Sequence, residues 1–281
     1  MNSRSSAGRQ RLTLEAGRTE KQYWKDLWRY RELFYFLAWR DILVRYKQTA
    51  IGMAWALIRP FMTMIVFSVV FGTIAKLPTQ GNAPYPILVY SALLPWQFFS
   101  SALAQCSGSL LGNSNLLSKV YFPRLIAPAS VIVVCFVDFL IAGMLLLGLM
   151  IWYNFVPSWR VVTLPFFIVI AAMSAFGAGL WLAALVVQFR DVAQIVPFIV
   201  QFGLYVSPVG YTSNIVPQQW QFLYWLNPMV GVIEGFRWAI LGGDAPFHLM
   251  GFGLSLGIVS LLFVTSLWYF RRVEKTFADI F

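Results

Sequence analysis

The chain has 281 residues, of which 59% are hydrophobic and 11% charged, and its mean hydropathy is +0.69. A soluble domain of this size cannot hide that much apolar surface, so the composition excludes a water-soluble globule and indicates a polytopic membrane protein. A formal net charge of +10 would suit nucleic acid in a soluble protein; in a membrane chain it reports orientation instead, and no nucleic-acid partner is expected.

Residues 1–20 are rich in Ser, Arg and Gly with almost no apolar content, and read as a disordered basic tail. From residue 21 the pattern changes. Tyr23, Leu27, Tyr30, Phe34 and Leu37 recur at helical spacing, with Lys25, Arg29, Glu32 and Arg40 roughly opposite and Phe36 and Leu43 intruding on the polar side. This spacing predicts an amphipathic helix within 21–53 lying along the cytoplasmic membrane surface, as a simple anchor or as a platform for a cytoplasmic partner. Between residues 40 and 60 mixed charges give way to an apolar run. Trp55 suits the headgroup layer and Arg59 can snorkel back to it, so the chain enters the bilayer here. No long apolar run occurs earlier, which argues against a cleaved signal peptide and for a cytoplasmic N-terminus.

Six apolar segments, at 54–75, 87–107, 125–153, 161–187, 192–209 and 249–270, approach or exceed the roughly 20 residues a crossing needs. They define a six-span domain over 54–270 and a cytoplasmic tail over 271–281. An even count returns the C-terminus to the side of the N-terminus. The basic residues agree: twelve lie between Arg4 and Arg59, eighteen in all fall on the cytoplasmic side, and only Lys76, Arg160 and Arg237 fall outside.

Two regions exceed a plain six-helix bundle. Residues 108–123 carry enough Leu, Asn and Ser to form a short cytoplasmic helix between spans two and three. Segments 218–226 and 229–241, bounded by Pro217, Pro228 and the Gly242-Gly243 pair, are apolar and aromatic but too short to cross. They read as a re-entrant hairpin between spans five and six.

The chain contains no phosphate-binding loop, no Gly-x-Ser-x-Gly, no His-Glu-x-x-His and no Cys-x-x-Cys. Cys106 and Cys135 lie in apolar runs and read as inert buried thiols. His248, the single histidine, falls in a presumed outer loop and reads as solvated. No enzyme active site, metal site or resident cofactor is expected. Asp138 falls near the middle of the third span, where an acid costs roughly 2.5–3.5 kcal/mol on insertion scales, so it needs compensation within the bundle. A packing or subunit-interface role is favoured over a proton relay. Glu234 and Arg237, three residues apart, are expected to pair with each other. The densest aromatic group is Tyr90, Trp96, Phe98, Phe99, Tyr205, Tyr211, Trp220, Tyr224, Trp225 and Trp238. Such rings form either a belt and core packing or a smooth slide for sugar rings.

The boundary stretch Arg40-Asp41 through Arg45-Tyr46-Lys47-Gln48-Thr49 and Gly52 to Pro60, the connection Asn113 to Arg124, the Arg190-Asp191-Val192 turn and the run Val216-Pro217 through Asn227-Pro228-Met229 to Glu234-Gly235-Phe236-Arg237-Trp238 occur in one order. In that order they resemble the permease subunit of polysaccharide-exporting ABC transporters, the O-antigen and teichoic-acid class. The resemblance implies a homodimer in the cell (inner) membrane with two ATPase subunits that bind ATP and Mg, and a lipid-linked polysaccharide as cargo. It implies an interface helix over 21–47, a coupling helix over 110–119, a second contact at 188–194 and an outer gate in the two short segments. The ATPase-coupling residues would then be Arg40, Asp41, Arg45, Lys47, Asn113, Asn115, Lys119, Arg190 and Asp191. The ten aromatics would line the channel and gate. The alternatives are an ABC permease for drugs or simple lipids and, further off, an ion-coupled secondary transporter, which would need a repeat and several coupling acids.

Overall fold

The computed structural model describes residues 20–47, 54–79, 83–117, 119–242 and 247–274, and all their regular structure is helical. The tail expected before residue 20 lies outside the described residues. The expected amphipathic segment is two helices, α1 (Glu20–Arg29) and α2 (Arg31–Lys47). They part at Tyr30, although Tyr30 N–H to Asp26 O (2.9 Å) and Phe34 N–H to Tyr30 O (3.1 Å) carry the hydrogen bonding across. The apolar face read from the sequence is the packed one: Leu27, Tyr30, Phe34 and Leu37 close on Phe122 and Ile126, with Leu116 and Leu117. The opposite face leaves Trp28, Tyr35, Phe36 and Val44 at least half exposed. Rings of this kind fit the headgroup layer.

Among the described residues, five helical stretches are long and apolar enough to cross a membrane: Ala54–Ile74, Tyr85–Gly112, Ile126–Trp152, Trp159–Gln188 and Leu249–Glu274. The first consists of α3 (Ala54–Phe67) continued by a π-helical turn, Ser68–Ile74. Next come α4 (Tyr85–Gly112), the single-turn α5 (Ser114–Leu117) and α6 (Ile126–Trp152). A 3-10 turn, Trp159–Thr163, leads into α7 (Leu164–Gln188). α8 (Val192–Val206), α9 (Gln218–Trp225), α10 (Pro228–Leu241) and α11 (Leu249–Glu274) complete the described helices.

The expected fifth span differs. α8 has 15 residues, about 22 Å at 1.5 Å per residue, against a hydrocarbon core of about 30 Å. It stops because Ser207 turns to extended backbone, with ψ 151°, immediately before Pro208, whose ring disfavours helix in the residue preceding it. The sixth segment extends past its expected end at 270 and runs four residues into the expected tail; the rest of that tail lies outside the described residues.

α4 is the central post. In its most apolar stretch 78% of residues are buried, compared with 17% in the first span, so α4 is enclosed by protein and the first span faces outward. Around α4 stand α3, α6, α7, α8 and α10. Lipid is as apolar as a leucine core, so within a bilayer close packing and polar ties hold helices together rather than water exclusion. Both devices are visible. At Gly177 a Cβ would sit 3.0 Å from the backbone N of Phe263, so the missing side chain lets α7 approach α11. Tyr90 donates its hydroxyl to Ala142 O at 2.9 Å, tying α4 to α6.

Candidate functional site

Three groups of residues carry the chemistry, beginning at the end of the bundle where α1 and α2 pack. Arg40 on α2 donates Nε to Asp41 Oδ1 (2.8 Å) and Nη2 to Asn113 Oδ1 (2.9 Å). Asn113 closes α4 and precedes α5, so α2 is fastened to the turn expected to couple. That turn is smaller than expected: 110–112 finish α4, leaving Ser114–Leu117 as the separate helix. Its Leu116 and Leu117 face inward, while Asn115 and Lys119 are exposed. Lys47, Arg190 and Asp191 are exposed too. Behind this surface, Arg124 donates its backbone N–H to Glu274 Oε1 (2.9 Å) and Nη1 to Glu274 O (2.7 Å). The Arg271 guanidinium lies 4.5 Å from the Tyr23 ring centre. Burial lowers the Arg124 guanidinium from its ordinary value, with Glu274 pulling it back up. The start of α6, the end of α11 and α1 therefore form one braced end from which the exposed residues project.

The second group surrounds Asp138. Arg45 Nη1 forms an ion pair with Asp138 Oδ2, and the Tyr46 hydroxyl donates to Oδ1. Arg45 Nη2 also reaches Gln105 Oε1 at 2.6 Å, and Gln105 Nε2 donates to Cys135 Sγ at 3.2 Å. Burial, followed by the Asp138 hydrogen bond and charge, raises the Tyr46 phenol above its ordinary value, so it stays a donor. The compensation anticipated for Asp138 thus comes from α2. Arg45, expected among the ATPase contacts, points instead into the helix bundle. Arg40 and Asp41 are half-buried beside it.

The third group is built on α9 and α10, whose bounds fall within one residue of the two short segments read from the sequence. Asn227 caps α10 by accepting the Met229 N–H at 3.0 Å and donates to Ser207 Oγ at 2.9 Å. Arg237 is fully buried, and it does not pair with Glu234 as expected. Its three nitrogens donate to Leu88 O (3.3 Å), Tyr211 O (2.7 Å) and Val209 O (3.0 Å). Tyr85 donates to Gly210 O at 2.6 Å. For Val209, Gly210 and Tyr211 the reason is the irregular backbone after α8: carbonyls with no helical partner must be satisfied by protein where water is scarce. Glu234, 5% exposed, accepts no hydrogen bond among the described residues. Its nearest cationic candidate is His248 Nδ1, 3.9 Å from Oε2. His248, read from the sequence as solvated, is thus only partly so. Burial pushes the Glu234 carboxyl above the ordinary carboxylate range against smaller opposing pulls from Ser213, His248 and Arg237.

The ten aromatics do not form one lining. Tyr90, Trp96, Phe98 and Phe99 are buried in α4, with Phe98 packed edge-on to Phe139 at 5.5 Å and Trp96 5.5 Å from Phe99. Because α4 is the central post, these four rings pack the core of the helix bundle. Tyr224 is also buried, sharing a hydrogen bond with Ser213 at 3.2 Å. Trp225 sits against Gly251, where a Cβ would come within 2.6 Å of its Nε1. Trp238 lies under the Arg160 guanidinium at 4.8 Å. Tyr211 is half-buried, donating to Val206 O at 2.9 Å. Tyr205 and Trp220 remain more than half exposed and are the members available to line a passage. Sequence reasoning missed the polar stripe Gln97, Ser101 and Gln105 on α4; its signal was there, since residues four apart share one face of a helix.

The family model described as ABC-2 type transporter matches residues 32–241. The O-antigen export system permease protein RfbA of Myxococcus xanthus is 28% identical over 215 residues, 76% of this chain and 82% of its own. The protein of the same name from Klebsiella pneumoniae is 25% identical over 243 residues, 86% of this chain and 92% of its own. The polysialic acid transport protein KpsM of Escherichia coli is 24% identical over 245 residues, 84% of this chain and 90% of its own. Matched from α2 to the end of α10, the chain belongs to the ABC-2 type transporter family.

Proposed function

We propose that the chain is the membrane permease of an ATP-driven exporter of lipid-linked polysaccharide. The observation that carries this reading is near full-length similarity to permeases named for O-antigen export and polysialic acid transport. In this reading two copies form the channel in the cell membrane, with both termini cytoplasmic. A sixth crossing is completed by α8 together with the irregular segment 207–212, and α9 and α10 form the outer gate. Two ATPase subunits, which bind ATP and Mg, dock on the braced end through Asn115, Lys119, Arg190, Asp191 and Lys47. The permease contributes no hydrolytic chemistry. It is a two-state element whose equilibrium the nucleotide biases.

Reconstitution with the candidate ATPase in lipid tests this directly. ATP hydrolysis stimulated by lipid-linked glycan is the expected result. A complex that hydrolyses ATP but ignores glycans would move the reading to a drug or simple-lipid permease, and no binding to an ATPase would reopen the ion-coupled alternative. Charge reversal, Lys119→Glu or Arg190→Glu, is expected to weaken co-purification with the ATPase while leaving membrane insertion unchanged; undiminished co-purification removes these residues from the docking surface.

A further inference from the structure

A cavity of about 420 Å³ lies between α2, α3, α4 and α6, walled by Arg45, Tyr46, Trp55, Arg59, Gln97, Ser101, Gln105 and Asp138 together with apolar residues. At about 30 Å³ per water this is room for on the order of fourteen waters, enough for a small polar headgroup. Its polar wall is the α4 stripe. Gln97 and Ser101 are half-buried, and their side chains make no hydrogen bond among the described residues, so their donors face the space. Among the described residues Asp138 is the only acid in the wall, and the neighbouring sequence 48–53 contains none. Arg45 is committed to Asp138 and Gln105. That leaves Arg59, exposed and 6.0 Å from the Trp55 ring centre, as a cation with no carboxylate partner among the described residues. Arg45 and Arg59 against Asp138 give the cavity one net positive charge. Charged residues on membrane-crossing helices, here Arg59 and Asp138, face the bundle interior or a cavity and mark ligand paths. The α3 wall is mostly unburied by protein, with Met62, Ile65 and Val66 exposed along it, so an acyl or polyprenyl chain can lie there while its headgroup enters.

We infer that this cavity binds the phosphoryl headgroup of a membrane lipid, with Arg59 as its ionic contact and Gln97 and Ser101 as hydrogen-bond donors. The net positive charge favours an anionic headgroup, and a guanidinium with flanking donors matches phosphoryl oxygens. The inference does not depend on the cargo being a polysaccharide. Two lipids share this chemistry, a bulk anionic phospholipid and the polyprenyl diphosphate that carries a glycan.

The test uses the full chain in phosphatidylcholine nanodiscs doped with phosphatidylglycerol or with polyprenyl diphosphate, counting retained lipid by native mass spectrometry. Wild type is expected to retain the anionic lipid, Arg59→Gln to lose about tenfold or more in affinity, as expected for one charge-assisted contact, and Arg59→Lys to keep part of it. Arg59 is exposed, so these variants leave the fold intact. Asp138→Asn raises the cavity's net charge and is expected to bind more tightly, a gain that a merely structural role would not produce. Retention of phosphatidylglycerol identifies the bulk lipid. Retention of polyprenyl diphosphate against excess phosphatidylglycerol identifies the carrier. Equal retention by wild type and Arg59→Gln, or no retention of either anionic lipid, overturns the inference.

Discussion

Two places in this molecule hold an acid and an arginine away from bulk water, and they solve the problem oppositely. Around Asp138 the charges meet: Arg45 arrives from another helix, Tyr46 adds a donor, and the acid is matched. In α10 the acid and the arginine share a helix and do not meet: Arg237 serves carbonyls of irregular backbone, and Glu234 is left with His248 3.9 Å away. The difference follows from what each arginine must satisfy. Beside regular helices the unmet demand is a carboxylate; beside the irregular backbone after α8 it is carbonyl oxygen, and two guanidinium donors meet that demand. Sequence distance is therefore a poor guide to pairing: the ion pair spans 93 residues, and the spacing of three produced none.

The comparison breaks first at Arg237. Arg237→Leu leaves at least Val209 O and Tyr211 O buried without donors, at a cost of roughly 1–3 kcal/mol each. A loss of about 3 kcal/mol or more is expected in thermal unfolding of the purified chain, with the 207–212 segment becoming the first site of proteolysis. Stability within about 1 kcal/mol of wild type would mean that other groups hold those carbonyls.

Next in size is the Asp138 pair. Breaking a fully buried ion pair costs about 3–5 kcal/mol. Here the two side chains keep 32% and 25% of their surface exposed, so Arg45→Leu is expected to cost about 2–3 kcal/mol, the exposure reducing the penalty. The double change Arg45→Leu with Asp138→Leu should recover most of that loss, because an apolar pair removes the uncompensated acid. Purely additive losses would show that the pair is not what makes the acid tolerable.

Much of this architecture was legible in the sequence, and the failures have physical causes. Hydropathy located the five helical stretches long and apolar enough to cross a membrane, because lipid enforces helices of a fixed length. The packed face of α1 and α2 followed from period alone, and the bounds of α9 and α10 from Pro217, Asn227-Pro228 and Gly242. The end of α8 was missed because the apolar run continues through Val209 while the backbone stops being helical at Ser207. Tyr90, Trp96, Phe98 and Phe99 stayed open between core packing and a channel lining because aromatic density does not tell which helix will be surrounded. Arg45 read as a cytoplasmic contact because its partner lies in a distant span. The pairing of Glu234 with Arg237 failed for the reason already given, an irregular backbone whose carbonyls hydropathy does not count.

The smallest effect, and the one that sharpens the comparison most, is at Glu234. A carboxyl whose folded-state pKa lies above its unfolded value binds its proton more tightly when folded. Its share of stability is complete below the ordinary carboxylate range and disappears as pH rises through the raised value. Glu234→Gln keeps the neutral shape at every pH. It is therefore expected to match wild type near pH 4 and to exceed it near neutrality, with a flatter stability profile. The groups facing this carboxyl are His248, Ser213, Tyr224 and Arg237, so the profile is repeated in His248→Gln to remove the imidazole from beside the carboxyl. A Glu234→Gln chain that is less stable than wild type at neutral pH would show that the carboxylate is ionised and held there. The outer site would then be a second matched pair, with His248 in the place that Arg45 takes beside Asp138.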